Sequence, residues 1–168
     1  MISIISAIVC TDRNGGIGNK NGLLFNIPKD MQMFKSLTTG QIVGCGERTL
    51  LSFPKSKPLK NRSTIVLCQE GHHYDDCICA HTFEEFLNIV KVLAMTKEVF
   101  IIGGGMMYSS MLDYYDRIYL TKVDAEDPEA TVFFPDVEKT GDFKVVKCDA
   151  DHDENYDFKF MTYERVRK

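Results

Sequence analysis

Apolar residues along this chain fall into short, separated runs. Ile2–Cys10, Gln41–Cys45, Ser63–Cys68, Val99–Ile102 and Arg117–Val123 are β-rich. Two more such runs, Phe143–Cys148 and Asp157–Arg165, lie near the end. Between them, Lys29–Leu37, Arg48–Phe53, Thr82–Ala94 and Met106–Tyr114 read as helices. Ile27, Met31, Phe34 and Thr38 share one helical face. Thr82 followed by Glu85 has the form of a capping box. Strand and helix alternate through most of the chain. That predicts an α/β fold, a mostly parallel mixed sheet of about eight strands with about four flanking helices. The last third lacks helix signals, and "YDFKFMTYERV" alternates polar and apolar. It predicts an antiparallel hairpin at one edge of the sheet. No repeat, low-complexity stretch or linker divides the chain, so 1–168 reads as a single domain.

Composition narrows the class. A length of 168 residues suffices for one full core, and a net charge of -4 argues against a nucleic-acid partner. No run is long and apolar enough to span a bilayer. "MISIISAIVC" has no basic segment before its apolar run, so it reads as a first strand rather than a signal peptide. Six cysteines, several inside apolar runs, read as reduced thiols of a cytoplasmic protein. Nothing in the pattern suggests an oligomer, so a monomer is expected.

Three stretches carry candidate chemistry. In "GGIGNKNGLLFNIPKDM", Pro28 suits a first helical turn, and Asp30 borders the apolar face of the helix that follows. Asp30 is either a solvent acid at the helix dipole or a partly buried carboxylate facing a cleft. The second case would raise its pKa and suit proton delivery or a fork-shaped donor. In "EVFIIGGGMMYSSML" a strand meets three glycines and then a helix. This is either a plain tight turn or a place where backbone approaches a phosphate. It lacks the GxGxxG spacing. "IVGCGERTLLSF" is a second strand-glycine-helix junction. Two such junctions could face each other at the carboxyl ends of a parallel sheet. A further stretch, "HHYDDCICAH", sets Cys77, Cys79 and His81 on one strand face near His72 and His73. Alternate positions on one strand spread over roughly 13 Å, too far for one ion, so no metal site is expected.

The chain resembles dihydrofolate reductase over nearly its whole length. The resemblance rests on "ISAIVC", "GGIGNKNGLLFNIPKDMQMFK", "GERT", "KPLKNR", "IIGGGMMY", "IYLTKVDAE" and "FFPD" in that order. It implies hydride transfer from NADPH to 7,8-dihydrofolate, with antifolates as inhibitors. Asp30 would be the carboxylate that anchors the pterin, hydrogen-bonded by Thr121, with Phe25 and Tyr108 completing the catalytic group. Met31, Phe34, Phe53 and Leu59 would line the substrate channel, Ile5, Ala7 and Ile102 would supply strand backbone near the two rings, and Arg62 would grip the glutamate tail. Gly15, Gly16, Gly18 and Gly22 would belong to a lid. Cofactor contacts would come from Ala7, Ile17, Gly18, Asn21 and Leu23 on that side. They would also come from Gly46, Arg48, Thr49, Leu67, Cys68 and Gln69, and from Ile102, Gly103, Gly104, Gly105, Met106, Met107 and Tyr108. Gly103–Gly104 fits a pair that is cis in this family.

The departures bear on function. Phe25 stands where the family has tryptophan, and Leu24 where it has proline. Leu50 replaces the aromatic expected after Thr49. "KPLKNR" replaces the proline and glycine before Arg62. Glu47 occupies a position that is basic in the family, and Cys68 replaces a hydroxyl residue. Only Arg48 remains as an obvious cation for the 2′-phosphate. Glu47 is therefore expected to weaken the preference for NADPH and let NADH be tolerated, unless it pairs with Arg48 or Lys55. A riboflavin-pathway reductase and a folate binder with a dead site are the rival functions. Turnover with dihydrofolate separates them.

Overall fold

The computed structural model describes residues 3–19, 22–23 and 25–166. In chain order the elements are β1 (Ile5–Thr11), β2 (Gly16–Asn19), β3 (Gly22–Leu23), α1 (Pro28–Thr38), β4 (Ile42–Gly46) and α2 (Glu47–Leu51). Then come β5 (Ser63–Leu67), β6 (Cys77–Ala80), α3 (Phe83–Leu93), β7 (Val99–Ile101), α4 (Gly105–Ser110) and β8 (Arg117–Val123). The chain finishes with β9 (Val132–Phe133), α5 (Val137–Thr140), β10 (Phe143–His152) and β11 (Asp157–Arg165).

Eight strands form one sheet in the order β10-β11-β8-β1-β7-β4-β5-β6. Pairing is parallel from β8 to β6, while β11 runs antiparallel to both β8 and β10. The mixed sheet and its antiparallel edge are as the sequence pattern predicts. Three short strands escaped it. β3, β2 and β9 form a separate small sheet, and the α5 turn adds a fifth helix among the described residues.

β1 is buried on both faces, which is why it reads as an unbroken apolar run. Ile5, Ala7 and Val9 join the main core with α3, α4 and α5. Ile8 points to the other face, where it meets Met33, Phe34 and Leu37 of α1 alongside Phe100 and Val43. Each fully buried large side chain contributes about 1.5–3 kcal/mol. α1 thus covers the sheet with Met33, Phe34 and Leu37, whereas Met31, expected on the buried stripe, is 54% exposed. On α3, Glu85 N donates to Thr82 Oγ1 at 3.1 Å, half of the expected capping box. The Glu85 side chain accepts from His81 N at 3.5 Å rather than from Thr82. All six cysteines are free thiols. No helix among the described residues is long and apolar enough to cross a membrane.

Candidate active site

The candidate residues on the α1–α2 face of the sheet fall in two places: Asp30, Thr121 and the two glycine junctions toward the carboxyl ends of the parallel strands, and Arg62 at the amino end of β5. Asp30 lies in the first turn of α1, two residues after Pro28. Thr121 Oγ1, fully buried on β8, donates to Asp30 Oδ1 at 2.6 Å. Cys10 stands opposite Thr121 in the β1–β8 register and donates its thiol to the same carboxylate. Burial pushes the Asp30 carboxyl above the ordinary range, and these two hydrogen bonds offset part of that rise. Burial, then the Asp30 charge, pushes the Cys10 thiol up, so it stays a protonated donor. The sequence left Asp30 between solvent and cleft; the packing makes it a half-buried carboxylate rather than a solvent acid.

Around this acid, Phe25 packs in one cluster with Cys10 and Phe160, its ring edge-on to Tyr156 at 5.1 Å. Tyr108 is buried, and its hydroxyl donates to Ile8 O at 2.8 Å. Burial holds that phenol neutral. Arg62 Nη1 donates to Thr38 Oγ1 at 3.1 Å and Nε to Lys60 O at 2.9 Å. Its guanidinium sits 6.0 Å from the Phe34 ring centroid. Among the described residues no carboxylate pairs with Arg62, which leaves a partly desolvated cation open to an anion. Leu59 is half-buried, and Phe53 and Ile102 pack together over Leu50.

Ile5 and Ala7, expected to contribute first-strand backbone, bring no side chain to the site. Their side chains point into the opposite core, and Ile5 N and O both bond Asp116 at the amino end of β1. The residues of β1 that do reach the cleft face are Ile8 and Cys10, which sequence reasoning missed. An apolar run buried on both faces carries no phase, so only strand register could have found them.

The second half of the site is bare backbone. Gly46 N donates to Gly103 O at 2.9 Å, joining the two glycine junctions. A Cβ added at Gly46 would meet only Gly104 N at 4.0 Å, and one at Gly104 only Thr49 Oγ1 at 3.6 Å. These glycines leave an open cradle that side chains would fill, which fits a bound pyrophosphate. The Gly103–Gly104 peptide is cis. α2 and α4 are short, five and six residues. Met107 and Leu67 turn their side chains into the far core, and Met106 is 87% exposed. Met107 and Leu67 can offer the cradle backbone only.

The glycine segment before α1 is a small sheet. β2 pairs with β3 and β9, and Ile17 and Gly18 are buried in it. The buried Asp12 ties it down: Oδ1 accepts from Asn14 N and Gly16 N, both at 2.8 Å, and Oδ2 from Asp127 N at 3.1 Å. Asn21 and Leu24 lie outside the described residues, and of Leu23 only the backbone is described.

Glu47 neither pairs with Arg48 or Lys55 nor stands free. Gln69 N donates to Oε1 at 3.2 Å, His72 Nδ1 lies 2.5 Å from Oε2, and Tyr74 Oη donates to that same oxygen. Those donors, Tyr74 first, hold its carboxyl below the usual range. The loop after β5 folds back on α2, a contact no local pattern announces. Cys68 is buried and its thiol donates to His72 O at 3.5 Å, with His81 Nδ1 3.7 Å away. Among the described residues no group of three His, Cys, Asp or Glu is placed to hold a metal. Cys77 and Cys79 instead pack with Cys45 and Cys68 under Leu50.

The chain matches a family model described as dihydrofolate reductase over residues 4–165. It is 31% identical over 166 residues to dihydrofolate reductase of Bacillus subtilis (strain 168), covering 96% of this chain and 95% of that protein. It is 32% identical to dihydrofolate reductase of Staphylococcus haemolyticus, covering 97% and 96%. Among solved structures it is similar to dihydrofolate reductase from Enterococcus faecalis complexed with NADP(H) and RAB-propyl. The TM-score is 0.87 at 26% identity, with 99% of each chain covered.

Proposed function

The chain belongs to the dihydrofolate reductase family, and on that premise we propose how the residues of this cleft perform the family's reaction. The enzyme is an NADPH-dependent oxidoreductase that reduces 7,8-dihydrofolate to tetrahydrofolate. One observation carries the assignment of roles: a half-buried Asp30 held by Thr121 at 2.6 Å beside the apolar cluster of Ile27, Phe25 and Phe160.

Asp30 accepts hydrogen bonds from the pterin N3–H and 2-amino group, a planar fork matched to a carboxylate. Burial makes its ionised form costly until a donor-rich ring enters, so the charge favours protonation at N5 through water. Thr121 and Cys10 orient the carboxylate from two neighbouring strands. Phe25, Phe34 and Ile102 wall the rings and exclude water. Arg62, with no acid partner among the described residues, takes the glutamate carboxylate. Tyr108 and the Ile8 carbonyl border the place where the two rings meet. NADPH, when bound, supplies the hydride. The Gly46 and Gly103–Gly105 backbone with Thr49 holds its pyrophosphate, and Arg48 reaches its 2′-phosphate. The β2–β3 segment covers the site as a lid. The protein works as a cytoplasmic monomer with no nucleic-acid or membrane partner.

The test is oxidation of NADPH with dihydrofolate by the purified protein, repeated with methotrexate. Dihydrofolate-dependent oxidation abolished by methotrexate is expected. Methotrexate binding without turnover would mean a folate binder instead.

A further inference from the structure

Glu47 opens α2 at the rim where β4 and β5 end. The sequence sets an acid where the family has a base. Its charge is spent locally, because three donors of one loop converge on it and its side chain is 20% exposed. The loop is itself pinned. His72 N donates to Gln69 O at 2.9 Å, the Cys68 thiol to His72 O at 3.5 Å, and Tyr74 N to Cys79 Sγ at 3.4 Å. The His72 side chain remains 49% exposed.

With Nδ1 committed to Glu47, His72 can address a ligand only through Nε2. An imidazolium presents a charged N–H there. The neutral Nδ1–H tautomer presents a lone pair, which repels an anion. Nothing else fixed on this loop is cationic. His73 pairs with Asp75 at 3.7 Å, and Glu70 and Asp76 add negative charge. Arg48, exposed beside Glu47, has no acid partner among the described residues. His81 also stands against this loop, but its Nδ1 is engaged 3.3 Å from Gln69 O and 3.7 Å from the Cys68 thiol.

We propose that His72 is a specificity-determining residue for the 2′-phosphate of NADPH, with Glu47 as the positioning residue that holds its ring. The proposal rests on the cofactor reading above and moves the missing cation from position 47 to the loop. Arg48 supplies the part of the preference that does not depend on pH. His72 supplies a part that is lost as its proton leaves. Glu47 thereby favours the phosphate indirectly, by holding the imidazole in position, rather than simply repelling it.

The experiment is calorimetric titration of NADPH and NADH into the wild-type protein and its variants, at several pH values between about 6 and about 8.5. In His72→Gln, NADPH binds about fivefold or more weaker near pH 6.5, and NADH stays within about twofold. The wild-type preference for NADPH falls as pH rises, and in His72→Gln that fall is absent. His72→Lys keeps the preference and flattens its pH dependence, which also covers a Gln variant that fails to fold. In Glu47→Gln the preference for NADPH near pH ~6.5 falls toward that of His72→Gln, because the ring is no longer held in place. Equal weakening of both cofactors in His72→Gln, or no change in either, overturns the role of His72. A Glu47→Gln variant that binds NADPH tighter at every pH restores simple repulsion and overturns the role of Glu47. Wild-type protein that binds neither cofactor sinks the cofactor reading itself.

Discussion

Asp30 and Glu47 are both first-turn acids of helices on the same face of one sheet, yet their surroundings move their protons in opposite directions. The helix dipole acts alike on both, so it cannot explain the difference. Asp30 has two donors from adjacent strands, and burial outweighs them. Glu47 sits at the rim with three donors from a loop, and they outweigh its modest burial. The first acid is left short of partners and awaits a ligand that brings more. The second is already satisfied and organises its neighbours. What decides the role of an acid here is the balance of donors against water lost, not its place on the helix.

The sharpest way to break this contrast is Asp30→Asn. The amide is nearly isosteric, so the fold survives, but it cannot carry the charge that supports a protonated pterin. A loss of at least ~100-fold in kcat/KM at neutral pH is expected, equivalent to ~2.7 kcal/mol. The deficit shrinks in acid, where substrate arrives already protonated. Activity within a few-fold of wild type at pH ~7 would remove Asp30 from the mechanism.

Next in size are its two donors. Thr121→Val removes the 2.6 Å hydrogen bond without changing shape. A loss of about tenfold, ~1.4 kcal/mol, is expected, with Thr121→Ser near wild type. Cys10→Ala removes the weaker thiol donor and costs about threefold. Because both bonds hold the Asp30 carboxyl down, either loss raises it further. The pH profile of kcat/KM then shifts toward higher pH, and Cys10→Ser restores it.

The smallest effects are on stability, and they have opposite signs. The folded pKa of Asp30 is raised, so the unfolded chain loses its proton first as pH rises. Stability is therefore lost from the ordinary carboxylate range up through the raised value. Asp30→Asn regains it and melts about 2 °C or more above wild type near neutrality. The folded pKa of Glu47 is lowered, so its contribution is present above the ordinary range. It is lost as pH falls through the lowered value. Glu47→Gln melts below wild type near neutrality, and the gap closes in acid. Shifts of the same sign for both variants, measured by calorimetry, would end the comparison.

Much of this was legible in the chain. β8 and β11 fall where the apolar pattern puts them, because each has one clear alternation or a long β-branched run. Asp30 and the glycine junctions stood out from the residues themselves, while Thr121 and Arg62 could be named only through the resemblance of their stretches to dihydrofolate reductase. β2, β3, β9 and α5 are two to four residues long, too short for any periodicity to register. Cys10 was counted among the thiols rather than in the site, since β1 has no polar face to give its phase. The grip of His72 and Tyr74 on Glu47 spans some 25 residues and depends on a loop folding back. Spacing along the chain holds no signal for it.

The placement of β1 has a consequence for synthesis. β1 leaves the ribosome first, but its neighbours are β7 and β8, with Ile5 opposite Val99 and Ser6 opposite Arg117. At about 5–20 residues per second, β1 waits roughly 5–20 s for its first partner. Throughout that interval it is an apolar strand with both edges open, the kind of segment that recruits other chains. Chaperone capture should be strongest on nascent chains paused before Val99, and weaker between Val99 and Arg117, where β1 is paired on one edge. Release past β8 closes the centre of the sheet, and the β10–β11 hairpin then seals the flank of β8.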